Sequence, residues 1–229
     1  MVFDYQIKKI RHLTAANFQG GHGVHSPFLY SFFKEVITPS RKGKLPEKLL
    51  EYPNRINMTD RKVGSIMHHV INWLNKPNVI EICYLPTNRS MFIHSQNGNR
   101  SCVINHECGY DADMMDHYAW KKSMPMKFTL GDVEDVLPKL LNSRGSFDVL
   151  IVSINKQYMS ENWFIDLVVK YSKPDSILIV NNLHRSENIE AFSKQLLKRS
   201  ESSVFLDLFH LGIFFFNPQL QKEKYIVRF

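Results

Sequence analysis

The chain has 229 residues, a formal net charge of +7, and 44% hydrophobic, 22% charged and 12% aromatic residues. That balance suits one large folded domain, or one domain with an extension, and excludes an extensively disordered chain. The longest uncharged apolar run, near Leu211–Phe216, is far below the roughly 20 residues of a membrane span. The first ten residues lack the apolar stretch of a signal peptide. Cys83, Cys102 and Cys108 have no metal-ligand spacing and read as reduced structural thiols, so a cytoplasmic protein is expected.

The N-terminal region is basic, with Lys8, Lys9, Arg11 and His12 followed by Arg41, Lys42 and Lys44. A solvated basic face and a nucleic-acid contact are the two readings, and no nucleic-acid motif accompanies the charge. Gly21-His22-Gly23-Val24-His25-Ser26-Pro27 reads as a loop into a helix, with Ser26 as N-cap, Pro27 at N1, and Phe28, Phe32 and Val36 along one face. A substrate or metal contact by His22 and His25 is the alternative. Residues 1–58 form a helical extension, and the polar, proline-broken stretch 52–57 is the seam. From residue 59 the pattern alternates. A helix over Asp60–Asn75 carries Val63, Ile66, Met67, Val70, Ile71 and Leu74 on one face, capped by Thr59 or Asp60. Its adjacent His68 and His69 do not share a face, which argues against a two-histidine metal site.

Strands follow at Val79–Cys83, Cys102–His106 and Phe128–Leu130, with helices near Asp111–Lys122 and Val133–Leu141. Glu134 and Asp135 suit the first turn of the latter helix. Phe147–Ser153 and Ser176–Asn181 are apolar runs expected of strands buried on both faces. Helices cover Glu161–Tyr171 and Asn188–Ser200. Val204–Phe209, Gly212–Phe216 and Tyr225–Phe229 are separated by short turns and are expected to pair antiparallel. The whole is an α/β, Rossmann-like, doubly wound and mostly parallel seven-stranded sheet ending in an antiparallel pair, over residues 59–229. Ligands of such sheets bind beyond the carboxyl ends of the strands.

After the first strand the turn is Cys83-Tyr84-Leu85-Pro86-Thr87-Asn88, where a nucleotide-binding turn is normally glycine-rich. Together with Gly21–Phe28 and the terminal runs Leu206–Phe216 and Ile226–Phe229, the element order resembles the class I S-adenosylmethionine (SAM)-dependent methyltransferases. Within them it resembles a bacterial O-methyltransferase-like group typical of Bacteroidetes. The resemblance implies SAM as cofactor, with Glu81 as the first-strand acid and Tyr84 in the altered turn. It puts His106, with Glu107 beside it, at the ribose position and Gly131-Asp132 near adenine. Metal-dependent relatives hold a divalent cation with an aspartate after the fourth strand and an aspartate-containing pair after the fifth. Those positions are Ser153 and Asn181-Asn182 here, so no metal is expected. His184 matches a position near the cleft, where it is either a general base or a surface histidine.

Three functional expectations stand side by side. One is a methyltransferase-like protein with degenerate sites, inactive or weakened, serving as a binding or scaffold protein for a small molecule or a protein. A second is an active metal-independent O-methyltransferase using His184. A third is nucleic-acid binding. The run Phe214-Phe215-Phe216, with Phe205 and Phe209, packs a sheet edge or a homodimer face.

Overall fold

The computed structural model describes residues 2–16, 25–38, 58–75, 77–84, 90, 92–93, 100–104, 127–154, 159 and 161–228. It divides into two compact units, Met1–His22 with Pro138–Phe229, and Gly23–Leu137. Helix α1 (Val2–Ala15) opens the chain and belongs to the first of these.

In the unit Gly23–Leu137, helix α2 (Pro27–Phe32) starts as the sequence requires. Ser26 is extended and its hydroxyl accepts the Leu29 N–H, while Pro27 sits where no backbone donor is needed. The helix runs on into one π turn, Phe33–Ile37, closed by Thr38 N–H to the Phe33 carbonyl. Phe28 and Phe32 meet Trp73 edge-on, at 5.2 and 5.3 Å between ring centres. Trp73 ends helix α3 (Met58–Trp73), which begins two residues earlier than expected.

The buried side of α3 is wider than its apolar stripe and takes in His68 and His69 as well as Val63, Met67 and Val70. Gly64 explains part of that depth. A Cβ there would stand 2.6 Å from Cδ2 of the buried Phe92 ring. Gly64→Ala should therefore cost about 1–3 kcal/mol by overpacking, offset by at most about 1 kcal/mol of helix propensity. Urea unfolding checks this, and a stabilised variant would mean that the Phe92 ring yields.

Strands β1 (Val79–Cys83), β2 (Arg100–Ile104) and β3 (Lys127–Leu130) pair in parallel in the order β3-β2-β1. The expected helix near Asp111–Lys122 and the end of the second strand at His106 lie outside the described residues. Helix α4 (Val133–Arg144) follows β3, with Glu134 and Asp135 in its first turn as the helix dipole favours.

In the other unit, β4 (Val149–Ser153) and β5 (Ile177–Asn181) pair in parallel. Helix α5 (Asn162–Tyr171) joins them. Both strands are apolar and buried along nearly their whole length, as parallel strands covered on both faces must be. Ser186 caps helix α6 (Glu187–Lys198) by accepting the Ile189 N–H, and the helix buries Ile189, Phe192 and Leu196. Strands β6 (Val204–Asp207) and β7 (Leu211–Phe215) form an antiparallel pair, and β7 is also antiparallel to β5.

The last strand corrects an expectation. Strand β8 (Glu223–Ile226) does not pair with β7; it lies beyond β6 and runs parallel to it, giving the order β4-β5-β7-β6-β8. The seven residues between β7 and β8 are enough to carry the chain past β6, so a short connection did not enforce a hairpin. The eight described strands correspond to the eight segments named from the sequence, one more than the seven-stranded sheet expected, and the mostly parallel α/β sheet with an antiparallel terminal pair is as read from the sequence. Among the described residues no helix is long and apolar enough to cross a membrane.

Candidate functional site

Glu81, in the middle of β1, is buried, and its Oε1 accepts the Ser90 hydroxyl at 2.9 Å. The carboxylate is thus held by a residue beyond the altered turn. Tyr84 is half-buried directly after β1, and residues 85–89, His106 and Glu107 lie outside the described residues. Gly131 follows β3, where a Cβ would come within 2.7 Å of Val136 Cγ2. Asp132 is exposed, and its carbonyl accepts the Asp135 and Val136 N–H groups, starting α4.

Ser153 and Asn181 end the adjacent strands β4 and β5, so the sheet brings two of the candidate residues together. Asn181 Nδ2 donates to Ser153 Oγ at 3.4 Å, and Asn181 Oδ1 accepts the Asn182 N–H at 3.0 Å. Both ends of the Asn181 amide are turned to the chain itself. Asn182 has φ 57°, and its N–H reaches the His210 carbonyl at 2.8 Å. Asparagine is among the few residues that adopt this left-handed conformation readily. Neutral oxygens with amide hydrogens between them do not suit a hard divalent cation, which is held by carboxylates and other oxygens.

His184 bonds to a different group. Strand β7 runs antiparallel to both β5 and β6, so β5 and β6 share a direction and their carboxyl ends lie at one edge. Asp207, the last residue of β6, sits there with its side chain 4% exposed. His184 Nε2 lies 3.0 and 3.1 Å from the two Asp207 oxygens, and its Nδ1 faces Glu190 Oε1 at 3.3 Å. From α1, His12 Nε2 lies 3.0 Å from Asp207 Oδ1 and 3.1 Å from the Asp207 carbonyl. Lys8, one turn earlier, donates to Glu190 at 2.8 Å. Two of the N-terminal basic residues are therefore engaged internally.

The electrostatics follow from these contacts. Burial opposes a charge on His184, but the hydrogen bond and charge of Asp207, joined by those of Glu190, outweigh it and hold its pKa above the ordinary value. Burial likewise opposes ionisation of Asp207. The hydrogen bonds from His12 and His184, the His184 charge and the Phe209 N–H win, holding the carboxyl well below the usual range. Lys8 is raised chiefly by its bond to Glu190. A general base needs a ring nitrogen open to substrate; both nitrogens of His184 already face carboxylates.

Beside the cluster the backbone is strained. His210 N–H returns to the Leu208 carbonyl at 2.7 Å, closing a three-residue turn on Phe209 at φ 63°. Such a turn is rare, and a non-glycine residue held there costs about 1–3 kcal/mol. Asp207 Oδ1 accepts the Phe209 N–H at 3.0 Å, and the Phe209 ring stacks on His184 at 5.2 Å and meets Tyr5 and His12 at 5.1 and 5.3 Å. A small pocket of about 20 Å³, room for one water, borders His12 and Phe209.

Sequence reasoning missed His12, Asp207, Glu190 and Phe209 as members of one group. One signal was available: Asp207 interrupts the apolar run 204–209, and a buried carboxylate needs partners. Nothing local shows that those partners come from α1 and from the β5–α6 turn.

No family model and no curated protein matches the sequence. Solved structures do match. The SAH-bound Podospora anserina methyltransferase PaMTH1 is 17% identical over 75% of this chain and 88% of its own, with a TM-score of 0.55. The O-methyltransferase TomG from Streptomyces achromogenes, in complex with SAM, is 17% identical over 77% and 88%, with a TM-score of 0.53. An O-methyltransferase from Bacillus cereus in complex with SAH is 14% identical over 82% and 96%, with a TM-score of 0.51. This chain has the class I fold that these methyltransferases share. At such identities the likeness establishes the fold alone.

Proposed function

We propose that this chain is a methyltransferase-fold protein in which metal-assisted methyl transfer has been lost or much weakened, and which serves as a binding protein. The observation that carries this reading is the Asn181–Ser153 hydrogen bond at the ends of β5 and β4. Metal-dependent relatives are expected to place carboxylates at these positions. Here the side chains are neutral and bonded to each other, so the Coulomb attraction that retains a divalent cation is missing. The turn after β1 adds to it, with Tyr84, Leu85 and Pro86 where backbone would approach a nucleotide, and Pro86 without an N–H to offer.

The test is a methyl-transfer assay with SAM and a panel of catechol-like and other hydroxylated acceptors, with and without magnesium. No transfer above background, and no effect of magnesium, is expected. Magnesium-dependent transfer to any acceptor would overturn the proposal. Magnesium-independent transfer would overturn it too, and its survival in His184→Ala would also remove that histidine as the base.

A further inference from the structure

His12, His184 and Asp207 offer one ligand atom each, and these atoms all lie within 4.8 Å of one another. Both histidine Nε2 atoms stand 3.0 Å from the same oxygen, Asp207 Oδ1. Nitrogen and oxygen ligands about 2.0–2.1 Å from a tetrahedral ion are separated by about 3.3 Å. Asp207 Oδ1 now lies between the two nitrogens, so a swing of its carboxylate by about an ångström would open this cluster around an ion. Two imidazoles and one carboxylate suit a borderline ion of the zinc class; magnesium and calcium favour oxygen alone.

The surroundings are those of a held ligand set. A metal-binding histidine normally gives its second ring nitrogen to a carboxylate or carbonyl, which fixes the tautomer and orientation. His184 Nδ1 faces Glu190, and Glu190 is anchored by Lys8. Asp207 is oriented by the Phe209 N–H from the strained turn. The His12 and Asp207 side chains are 5% and 4% exposed, while His184 is 23% exposed, so the cluster has a closed side and an open one. Lys224 Nζ lies 4.0 Å from Asp207 Oδ2 and 5.7 Å from the Phe205 ring centre, on a side chain that is half-exposed.

We propose that His12, His184 and Asp207 form a zinc-class metal site that ties α1 to the carboxyl ends of β5 and β6, with Glu190 positioning His184. This place differs from the Ser153–Asn181 position, and the inference stands whether or not the chain transfers methyl groups. Binding releases any proton that the histidines share with Asp207, so ion and proton compete.

The test uses the full chain stripped with a chelator and then titrated with Zn²⁺ alone and Co²⁺ alone. One ion per chain is expected, with a dissociation constant in the micromolar range or tighter and the intense visible absorption of four-coordinate Co²⁺. His12→Gln and His184→Gln should each weaken binding by about 100-fold or more, and Glu190→Gln by about 10–100-fold. Absence of saturable binding by about 100 μM Zn²⁺, or binding unchanged in both histidine variants, would overturn the site and leave a hydrogen-bonded strap. Histidine ring ¹⁵N shifts in the unaltered chain give the answer even if a variant fails to fold. Zn²⁺ should move His12 and His184 and leave His68 and His69 in place; movement confined to other histidines would also overturn it.

Discussion

Asp207→Asn is expected to lower the unfolding free energy by about 3–5 kcal/mol, the range for removing one partner of a buried ion pair. In a chain of this length that corresponds to a drop in melting temperature of roughly 6–20 °C. The cause is the number of groups that one carboxylate serves: His12, His184 and the Phe209 N–H. An amide keeps an acceptor for one of them but directs N–H hydrogens at another donor. It also leaves His184 with Glu190 as its remaining carboxylate. The Phe209 turn loses the bond that helps hold its positive φ. Thermal and denaturant unfolding in the presence of a chelator measures the effect without any contribution from metal. Amide exchange should show α1 opening first, because His12 is one of its anchors. A loss below about 1 kcal/mol, with α1 protected as before, would mean that the cluster does not hold the helix.

The second large effect is a pH dependence set by His68. This side chain is 3% exposed in α3, and its Nδ1 lies 3.3 Å from the Phe92 carbonyl, which accepts the ring N–H. Burial pushes its pKa down to about 4, with a smaller push from His69, against the bond to Phe92. In the unfolded chain the value returns to about 6.5. Well above pH 6.5 both states are neutral at this residue, and stability is unaffected. As pH falls from 6.5 toward 4, the unfolded chain takes up a proton that the folded chain refuses, so stability falls. Below about 4 both states bind it and the loss levels off at about 3 kcal/mol. His68→Gln keeps a donor for the carbonyl and does not titrate. Subtracting its pH profile from that of the parent isolates the residue, and the difference should grow between pH 6.5 and 4. Parallel profiles would show that His68 is protonated without cost, hence wet.

Much of the fold was legible because the physics is local. Val149–Ser153 and Ile177–Asn181 are buried on both faces and so read as continuous apolar runs. Ser26-Pro27 and Ser186 announce helix starts because the hydroxyl of each serves a backbone N–H within three residues. The place of strand β8 was not legible, because a short connection permits a hairpin without requiring one and pairing on the far side of β6 leaves no local trace. The burial of both His68 and His69 left no mark in the apolar stripe of α3, because Gly64 lets the Phe92 ring pack close against that helix. Ser153, Asn181 and Asn182 were legible as strand-end residues, and the structure adds that they bond to one another. The His12–His184–Asp207 cluster was not legible. Its members are up to 195 positions apart, and only the strand order brings the ends of β5 and β6 to one edge.

Isothermal titration of the purified chain with SAM and with SAH, each with and without magnesium, tests the central claim most directly. The account predicts no saturable binding up to about 1 mM and no change on adding magnesium. Micromolar binding of either ligand, or binding that appears only with magnesium, would contradict it and would show that the altered turn still holds the cofactor.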